Sequence, residues 1–320
     1  MSPAPRRARL RALAKINLSL KVLHRRRDGY HELRTVFQTI SLADTLEAEY
    51  EPARRTSLEV SSRPAIPGNL VERAARLVLE ETRVTGRVTL RLVKRIPLGA
   101  GLGGGSSDAA AVLLGLPVLA GRRIPLARLI ELAAELGSDV PFFLLGGTAV
   151  ALGRGTELYP LPEAAPARGL LVVPELEIRT PEAYRALGRR LTSSVRPSMI
   201  SSFQSWVWER LESLRPGPVL AAGENDFEPV VFARHPRLQT LTLELERLGA
   251  KPAMLSGSGS ALFGLFASPE ALQRARSQFP GEKVIPFSLV SRARYRRVWW
   301  RQLEGHLRAP GWPPESRYAS

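Results

Sequence analysis

Cysteine is absent from the 320 residues, so disulfides, thiolate-bound zinc, iron–sulfur clusters and a thiol nucleophile are excluded together. Histidine is scarce. The four present, His24, His31, His235 and His306, show neither an HExxH pattern nor paired helical spacing, and no dedicated metal site is expected. Long hydrophobic runs are missing as well. The longest, 109–121 and 140–153, fall short of the roughly 18 to 20 residues of a membrane span and carry glycines. Lys15 and Asn17 interrupt the apolar stretch of the basic N-terminus and no small-residue cleavage site follows, so a cytoplasmic location is expected.

Lysine is the scarcest common cation: only five of the 46 Lys and Arg residues are lysine. A lysine in so arginine-rich a chain marks places where a compact ammonium is wanted, which directs attention to Lys15 and Lys94. The net charge of +16 would attract nucleic acid, anionic membranes or phosphorylated small molecules. The arginines are scattered, however, with no RRM, KH, zinc-finger or helix-turn-helix pattern to organise them. Residues 291–320 hold seven Arg against two Glu, interleaved with Tyr295, Trp299, Trp300, Trp312 and Tyr318. They form either a stacking surface for nucleic acid or, as preferred here, an extension whose aromatics pack back on the domain under arginine stems.

Leu10, Ala12, Ala14, Ile16, Leu18, Leu20 and Val22 alternate with Leu13, Lys15, Asn17, Ser19 and Lys21. Period two predicts a strand on which Lys15 and Asn17 point the same way. On periodicity alone, Lys15 is a solvated strand lysine. Further strands are expected at 34–42, 45–50 and 87–94. Asn69, with Glu72 three residues on, predicts the capped start of a helix, and helices are expected at 107–116 and at 126–136, the latter closed by Gly137. Beyond PLPEAAPARG, which resembles a linker, a strand at 170–173 opens a second region. Helices at 181–191, 201–214, 227–234 and 236–248 follow, with strands in ALFGLF and KVIPFSLV.

Between the strand ending near Lys94 and the helix at 107 lies PLGAGLGGGSSD. So many glycines cost folding entropy and leave little to pack, which suits a loop whose backbone N–H groups approach an anion at a helix N-terminus. Gly99, Gly101 and Gly104 satisfy GxGxxG, but the segment after the helix is basic and helical instead of a second strand ending in an acid. Walker A fails because no Gly-Lys-Ser/Thr occurs, and the HRD and DFG motifs of protein kinases are missing.

The stretch IPLGAGLGGGSSDAAAVL resembles the phosphate loop of the GHMP kinases, the family of galactokinase and of homoserine, mevalonate and phosphomevalonate kinases. An N-terminal lysine strand and a late glycine-rich turn, MLSGSGSALFGLF, follow the family order. Its segment Ser256 to Ser260 is either a second anion nest or a tight turn. AKINLSLKVLHRRRDGYHEL, NLVERAARL, GSDVPFFLLGGTAVALGRGTEL and ENDFEPVV resemble the branch that acts on a cytidine diphosphate-linked methylerythritol, in the methylerythritol phosphate route to isoprenoid precursors. The resemblance spans about residues 10–290. It leaves the tail without a counterpart.

The resemblance implies an α+β, two-domain GHMP kinase fold: an N-terminal domain like domain 2 of ribosomal protein S5 (1–160), an α/β C-terminal domain (161–290), then a basic aromatic extension (291–320). It implies ATP and Mg²⁺, and transfer of phosphate to the acceptor's 2-hydroxyl. Asp139, otherwise read as a helix N-cap, would be the general base, with Lys15 beside it. Pro97, Leu98, Gly99, Ala100, Gly101, Leu102, Gly103, Gly104, Gly105, Ser106 and Ser107 would hold the phosphates, Ser107 assisting magnesium, and Asn69 and Lys94 would lie at the ATP base end. Asn17 would face the acceptor, Tyr30 and His31 the cytosine, Tyr184 the opposite face of that ring, and Thr180 the substrate side; Arg25 to Arg27 either attract the diphosphate or are a solvated run. Without the family, Tyr184 reads as a core aromatic and His31 as a surface histidine. A small-molecule acceptor, no membrane or nucleic-acid partner, and a monomer or weak homodimer are expected. A homoserine- or mevalonate-type kinase and a nucleic-acid binder on the same scaffold are the alternatives.

Overall fold

The structure is a computed structural model that describes residues 4–163, 165–188, 197–212 and 223–319. Two sheets organise it. The first contains β1 (Arg6–Arg25), β2 (His31–Pro52), β3 (Ser57–Arg63), β4 (Gly86–Val93), β5 (Thr148–Gly153) and β6 (Glu157–Pro160), in the order β3-β4-β2-β5-β6 with β1 antiparallel along β2. The second is antiparallel, in the order β10-β7-β9-β8, built from β7 (Arg168–Val173), β8 (Ala250–Leu255), β9 (Leu262–Phe266) and β10 (Lys283–Ser288).

Helices α1 (Leu70–Thr82), α2 (Gly104–Ala120), α3 (Leu126–Leu136) and α4 (Val140–Leu145) cover one face of the first sheet, where Leu10, Leu46 and Leu90 meet Val78, Leu113 and Phe142 in a closed core. The other face is not solvated. Ala14, Ile16, Leu18, Val36 and Ile40 pack against Leu171, Met254, Phe263 and Phe287 of the second sheet. Helices α5 (Thr180–Ala186), α7 (Glu228–Arg234), α8 (Pro236–Arg247) and α9 (Pro269–Ala275) close the far side of that sheet. α6 (Pro197–Glu212) sets Phe203 and Val207 into the layer between the sheets.

The helix-covered side corrects the sequence pattern of the first strand. Alternation puts Lys15 on a wet face, yet Lys15 is 3% exposed and Asn17 1%: they point away from Ala14, Ile16 and Leu18, and Phe37, Phe143 and the glycine-rich loop at Gly101 and Gly103 cover Lys15. The expected strands at 34–42 and 45–50 are one continuous β2. α2 begins three residues earlier than the periodicity indicates, inside the glycines: the side chains of Gly104 and Gly105 give no apolar signal, and the N-terminus is set by the loop. The expected helix at 181–191 stops at Ala186, and Leu191 lies outside the described residues, as do 213 and 214 of the helix expected at 201–214.

Residues 292–303 form an unexpected helix, α10, which buries Tyr295, Trp299 and Leu303 in the core of the first sheet. Trp300 Nε1 donates to Gly311 O and Trp312 Nε1 to Leu144 O. Tyr295 and Trp299 are therefore turned into the protein, while Trp300, Trp312 and Tyr318 are half-buried. Truncating a tryptophan buried as Trp299 is, at 1% exposure, costs about 3–5 kcal/mol. Among the described residues, no helix is long and apolar enough to cross a membrane.

Candidate functional site

The glycine loop runs from the end of β4 into α2. Gly99, Gly101 and Gly103 take left-handed φ of 64°, 76° and 70°, a region that L side chains avoid. Close approach adds to the requirement at two of them. A Cβ on Gly103 would lie 2.9 Å from the Phe143 ring and 3.1 Å from Lys15 Cγ, and one on Gly101 would collide with Ser256 O. Gly103 is the N-cap of α2 and contributes no side-chain cap, so the first helical N–H groups, those of Gly104, Gly105 and Ser106, have no intrahelical acceptor. They face a cleft of about 690 Å³, within the 300–1,000 Å³ usual for ligand sites. The macrodipole of 17 helical residues adds roughly half a positive charge there.

The late glycine-rich turn buttresses this loop. Ser256 Oγ donates to Gly101 O (3.1 Å) and Ala261 N to Ala100 O (3.2 Å), while buried Asn225 donates to Leu255 O and Gly257 O at 2.9 and 2.8 Å. Only Gly257 and Ser258 of the turn reach the cleft; Ser256 and Ser260 are buried. Gly101→Ala is accordingly expected to weaken ATP binding and stability together: a methyl group there must push the two units apart. ATP KM should rise at least about tenfold and the melting temperature fall by several degrees, as read by kinetics and thermal denaturation. Unaltered values of both would mean the loop does not need this contact.

Lys15 and Asp139 meet at the floor of the cleft. The ammonium donates to Asn17 Oδ1 (2.8 Å) and Gly101 O (2.9 Å) and lies 3.4 Å from Asp139 Oδ2. Asn17 Nδ2 donates to Thr35 Oγ1 (2.8 Å), which donates to Ser19 O (2.6 Å), so Asn17 orients the lysine as much as it faces the cavity. Asp139 immediately precedes α4, makes no side-chain cap bond, and has 31% of its side chain exposed. Its carboxylate is open to a ligand.

A second hollow of about 870 Å³ adjoins the first and is lined by Tyr30, His31, Arg25, Arg154 and Gly188, among others. Asp139, Thr180 and Tyr184 line both cavities. Thr180 Oγ1 is 3.0 Å from Ser258 Oγ. Burial, together with Arg25 and His24, holds the His31 pKa below its ordinary value, so the ring is neutral at pH 7, one nitrogen a donor and the other an acceptor. Burial, and next the charge of Asp139, pushes the Tyr184 hydroxyl up and keeps it protonated.

Several expected site residues are engaged elsewhere. His31 stacks directly on Tyr184, with centroids 4.3 Å apart, and Phe227 meets Tyr184 edge-on. An interleaved base needs about 7 Å, twice a van der Waals contact, so that face of Tyr184 is filled unless His31 swings away. Tyr30, half exposed, carries the Arg154 guanidinium 5.1 Å from its ring centre. The Ser107 hydroxyl donates to Leu13 O (2.7 Å) and its N–H to Gly103 O, so neither group reaches a phosphate or a magnesium ion; burial in the α2 core turns it away. Lys94 borders the cleft, but its ammonium is spent on Asp44 (2.5 Å) and Asp108 (2.6 Å). Burial holds Asp108 above the usual carboxylate range despite Lys94. Asn69 caps α1 through Val71 N (3.0 Å), leaving a buried Nδ2 without an acceptor; its neighbour Leu70, not Asn69, lines the cleft.

Sequence reasoning missed Asp44, which accepts from the N–H groups of Arg95 and Ile96 and so fixes the entry to the loop, and Thr35, which holds Asn17. Both belong to β2, and only the pairing of strands brings them to the site. Asn225 stood within a quoted motif, ENDFEPVV, without an assigned part.

Residues 69–147 match the GHMP kinases N terminal domain, and residues 212–284 match GHMP kinases C terminal. The chain is 54% identical over 317 residues to a 4-diphosphocytidyl-2-C-methyl-D-erythritol kinase of Solibacter usitatus, covering 98% of each chain. It is 39% identical over 267 residues to the same enzyme of Acaryochloris marina, covering 80% of this chain and 86% of that one. A crystal structure of 4-(cytidine 5'-diphospho)-2C-methyl-D-erythritol kinase superimposes with a TM-score of 0.71 at 38% identity, covering 88% of this chain and 98% of its own.

Proposed function

Because the chain belongs to the 4-diphosphocytidyl-2-C-methyl-D-erythritol kinase family of GHMP small-molecule kinases, we propose that it transfers the terminal phosphoryl group of ATP to the 2-hydroxyl of that cytidyl alcohol, in the non-mevalonate route to isoprenoid precursors. One observation carries the reading. Asp139 stands in the wall common to two cavities, one edged by the glycine loop and the other by Tyr30 and His31, with the Lys15 ammonium 3.4 Å away. A donor phosphate and an acceptor alcohol can meet there.

The N–H groups of Gly104, Gly105 and Ser106 bind the phosphates, and the α2 dipole favours their charge. The acceptor hydroxyl gives its proton to Asp139 as its oxygen bonds to the γ-phosphorus; the bond from that phosphorus to the bridging oxygen breaks, and ADP leaves with the electron pair. Lys15, held by Asn17 and Gly101 O, offsets the charge that develops on the alcohol oxygen. Ser106 is the loop hydroxyl that faces the cleft and can approach a magnesium ion carried by ATP. Such an ion takes most of its ligands from phosphates and water and supplies charge neutralisation.

On the acceptor side, neutral His31 offers a donor and an acceptor to the edge of a pyrimidine, Tyr30 offers an exposed ring face, and Arg25 and Arg154 bring positive charge to the same hollow.

A coupled assay of ADP release, run in parallel with the cytidyl acceptor, mevalonate and homoserine, tests the assignment. Turnover of the cytidyl compound alone is expected. Turnover of either other alcohol without it would replace the substrate, and silence with all three would remove the activity.

A further inference from the structure

The C-terminal extension grips the far ends of the two helices whose N-termini build the site. Ser316 Oγ donates to Val118 O (2.7 Å) in the last turn of α2, the phosphate-loop helix. The hold on α4 is tighter. Tyr295 Oη donates to Phe143 O (2.5 Å) and Trp312 Nε1 to Leu144 O (2.8 Å), while the Tyr295 ring fills the space beside Gly146 and Arg292 that beside Gly147, where a Cβ would come 2.7 Å from its own. Arg292 also donates to Thr148 O (2.5 Å) and pairs with Glu163 (3.3 Å). The final carbonyls of a helix have no intrahelical donor and must find one elsewhere. Here the extension supplies two of them. α4 has only six residues, about 9 Å at 1.5 Å per residue, so a displacement at its C-terminal carbonyls reaches Asp139 at the other end almost undamped.

We propose that Tyr295 and Trp312 are positioning residues for the phosphoryl transfer: by satisfying the last carbonyls of α4 they hold Asp139 at its 3.4 Å contact with Lys15. The inference rests on the reading of Asp139 as the base.

The test compares the full-length protein with Tyr295→Phe, which keeps the ring and removes only the hydroxyl donor, with Trp312→Phe, which removes the indole N–H together with part of the ring, and with the double variant. Trp300→Phe, which loses a bond confined to the extension, is the control. Measurements are made well below each variant's melting temperature. The double variant is expected to lose about tenfold in kcat, in line with the cost of misplacing a catalytic group by less than 1 Å. KM for ATP and for the acceptor should stay within about twofold, and amide exchange should quicken across residues 139–147 but not in α1. A merely structural brace would lower the melting temperature and leave kcat of the folded fraction untouched, which overturns the proposal, as does a rise of both KM values in step with the loss of kcat. If the parent protein turns over no acceptor, the base assignment has failed separately, and unchanged exchange at 139–147 then overturns the bracing as well.

Discussion

Replacing Asp139 with asparagine is expected to lower kcat by about 10²–10⁴-fold, the range a positioned general base contributes, with ATP KM changed by no more than about threefold. The geometry separates these effects. Asparagine keeps the size of the carboxylate and can still accept from Lys15, so the floor of the cleft stays shaped; it cannot take the proton from the acceptor hydroxyl. On the proposed reading, the N–H groups of the loop hold the nucleotide, and none of them depends on Asp139. At 3.4 Å the Lys15 contact is longer than the 2.7–2.9 Å of a charge-assisted hydrogen bond, so the carboxylate is not locked to its partner and remains available to the alcohol. Steady-state kinetics with both substrates, alongside an equilibrium measurement of nucleotide affinity, decides the matter. An asparagine variant with wild-type turnover would leave the reaction without its base.

The second large effect belongs to Lys15→Ala. Losing one preorganised positive donor at a developing oxyanion costs about 10²–10³-fold in kcat, and here the same ammonium does two further things. It donates to Gly101 O, a carbonyl inside the phosphate loop, and to Asn17 Oδ1. Its removal takes the ammonium donor from Asn17 Oδ1, where Asn17 is 1% exposed, and leaves Gly101 O only the Ser256 hydroxyl, and the loop loses a tie to β1. We therefore expect kcat to fall by about 10³-fold, ATP KM to rise a few-fold, and the melting temperature to drop, in contrast to Asp139→Asn, which should leave stability nearly unchanged because the aspartate side chain is part-exposed. If alanine at 15 lowered stability alone, Lys15 would be a structural cation and not a catalytic one.

The two residues also show how unevenly the site was legible. The glycine loop announced itself: a run of residues without side chains between a strand and a helix has few physical uses, and Gly99 to Ser106 do face the cleft. Lys15 could be found as a rare lysine beside Asn17, yet its periodicity argued for solvent, and only the glycine loop, Phe37 and Phe143 closing over it bury it. Ser107 sits in the motif as plainly as Ser106, but a helix turns each residue by about 100°, and that rotation sends one hydroxyl to the cleft and the other to Leu13 O. The stacking of His31 on Tyr184, 153 positions apart, and the clamp of Asp44 on the N–H groups of Arg95 and Ile96, have no local signal of any kind.

What the amino-acid sequence determined by itself is therefore local: which segments alternate with period two, where Asn69 caps a helix, and where glycine lets a backbone come close to an anion. Those properties depend on neighbours within a few residues, and the order of the chain records them. The tertiary structure alone decided which charges are buried, which hydroxyl of a pair meets the cavity, and that the terminal extension props the helix bearing Asp139. Burial and contact are set by partners far apart along the chain, brought together by packing, and no spacing along the chain encodes them.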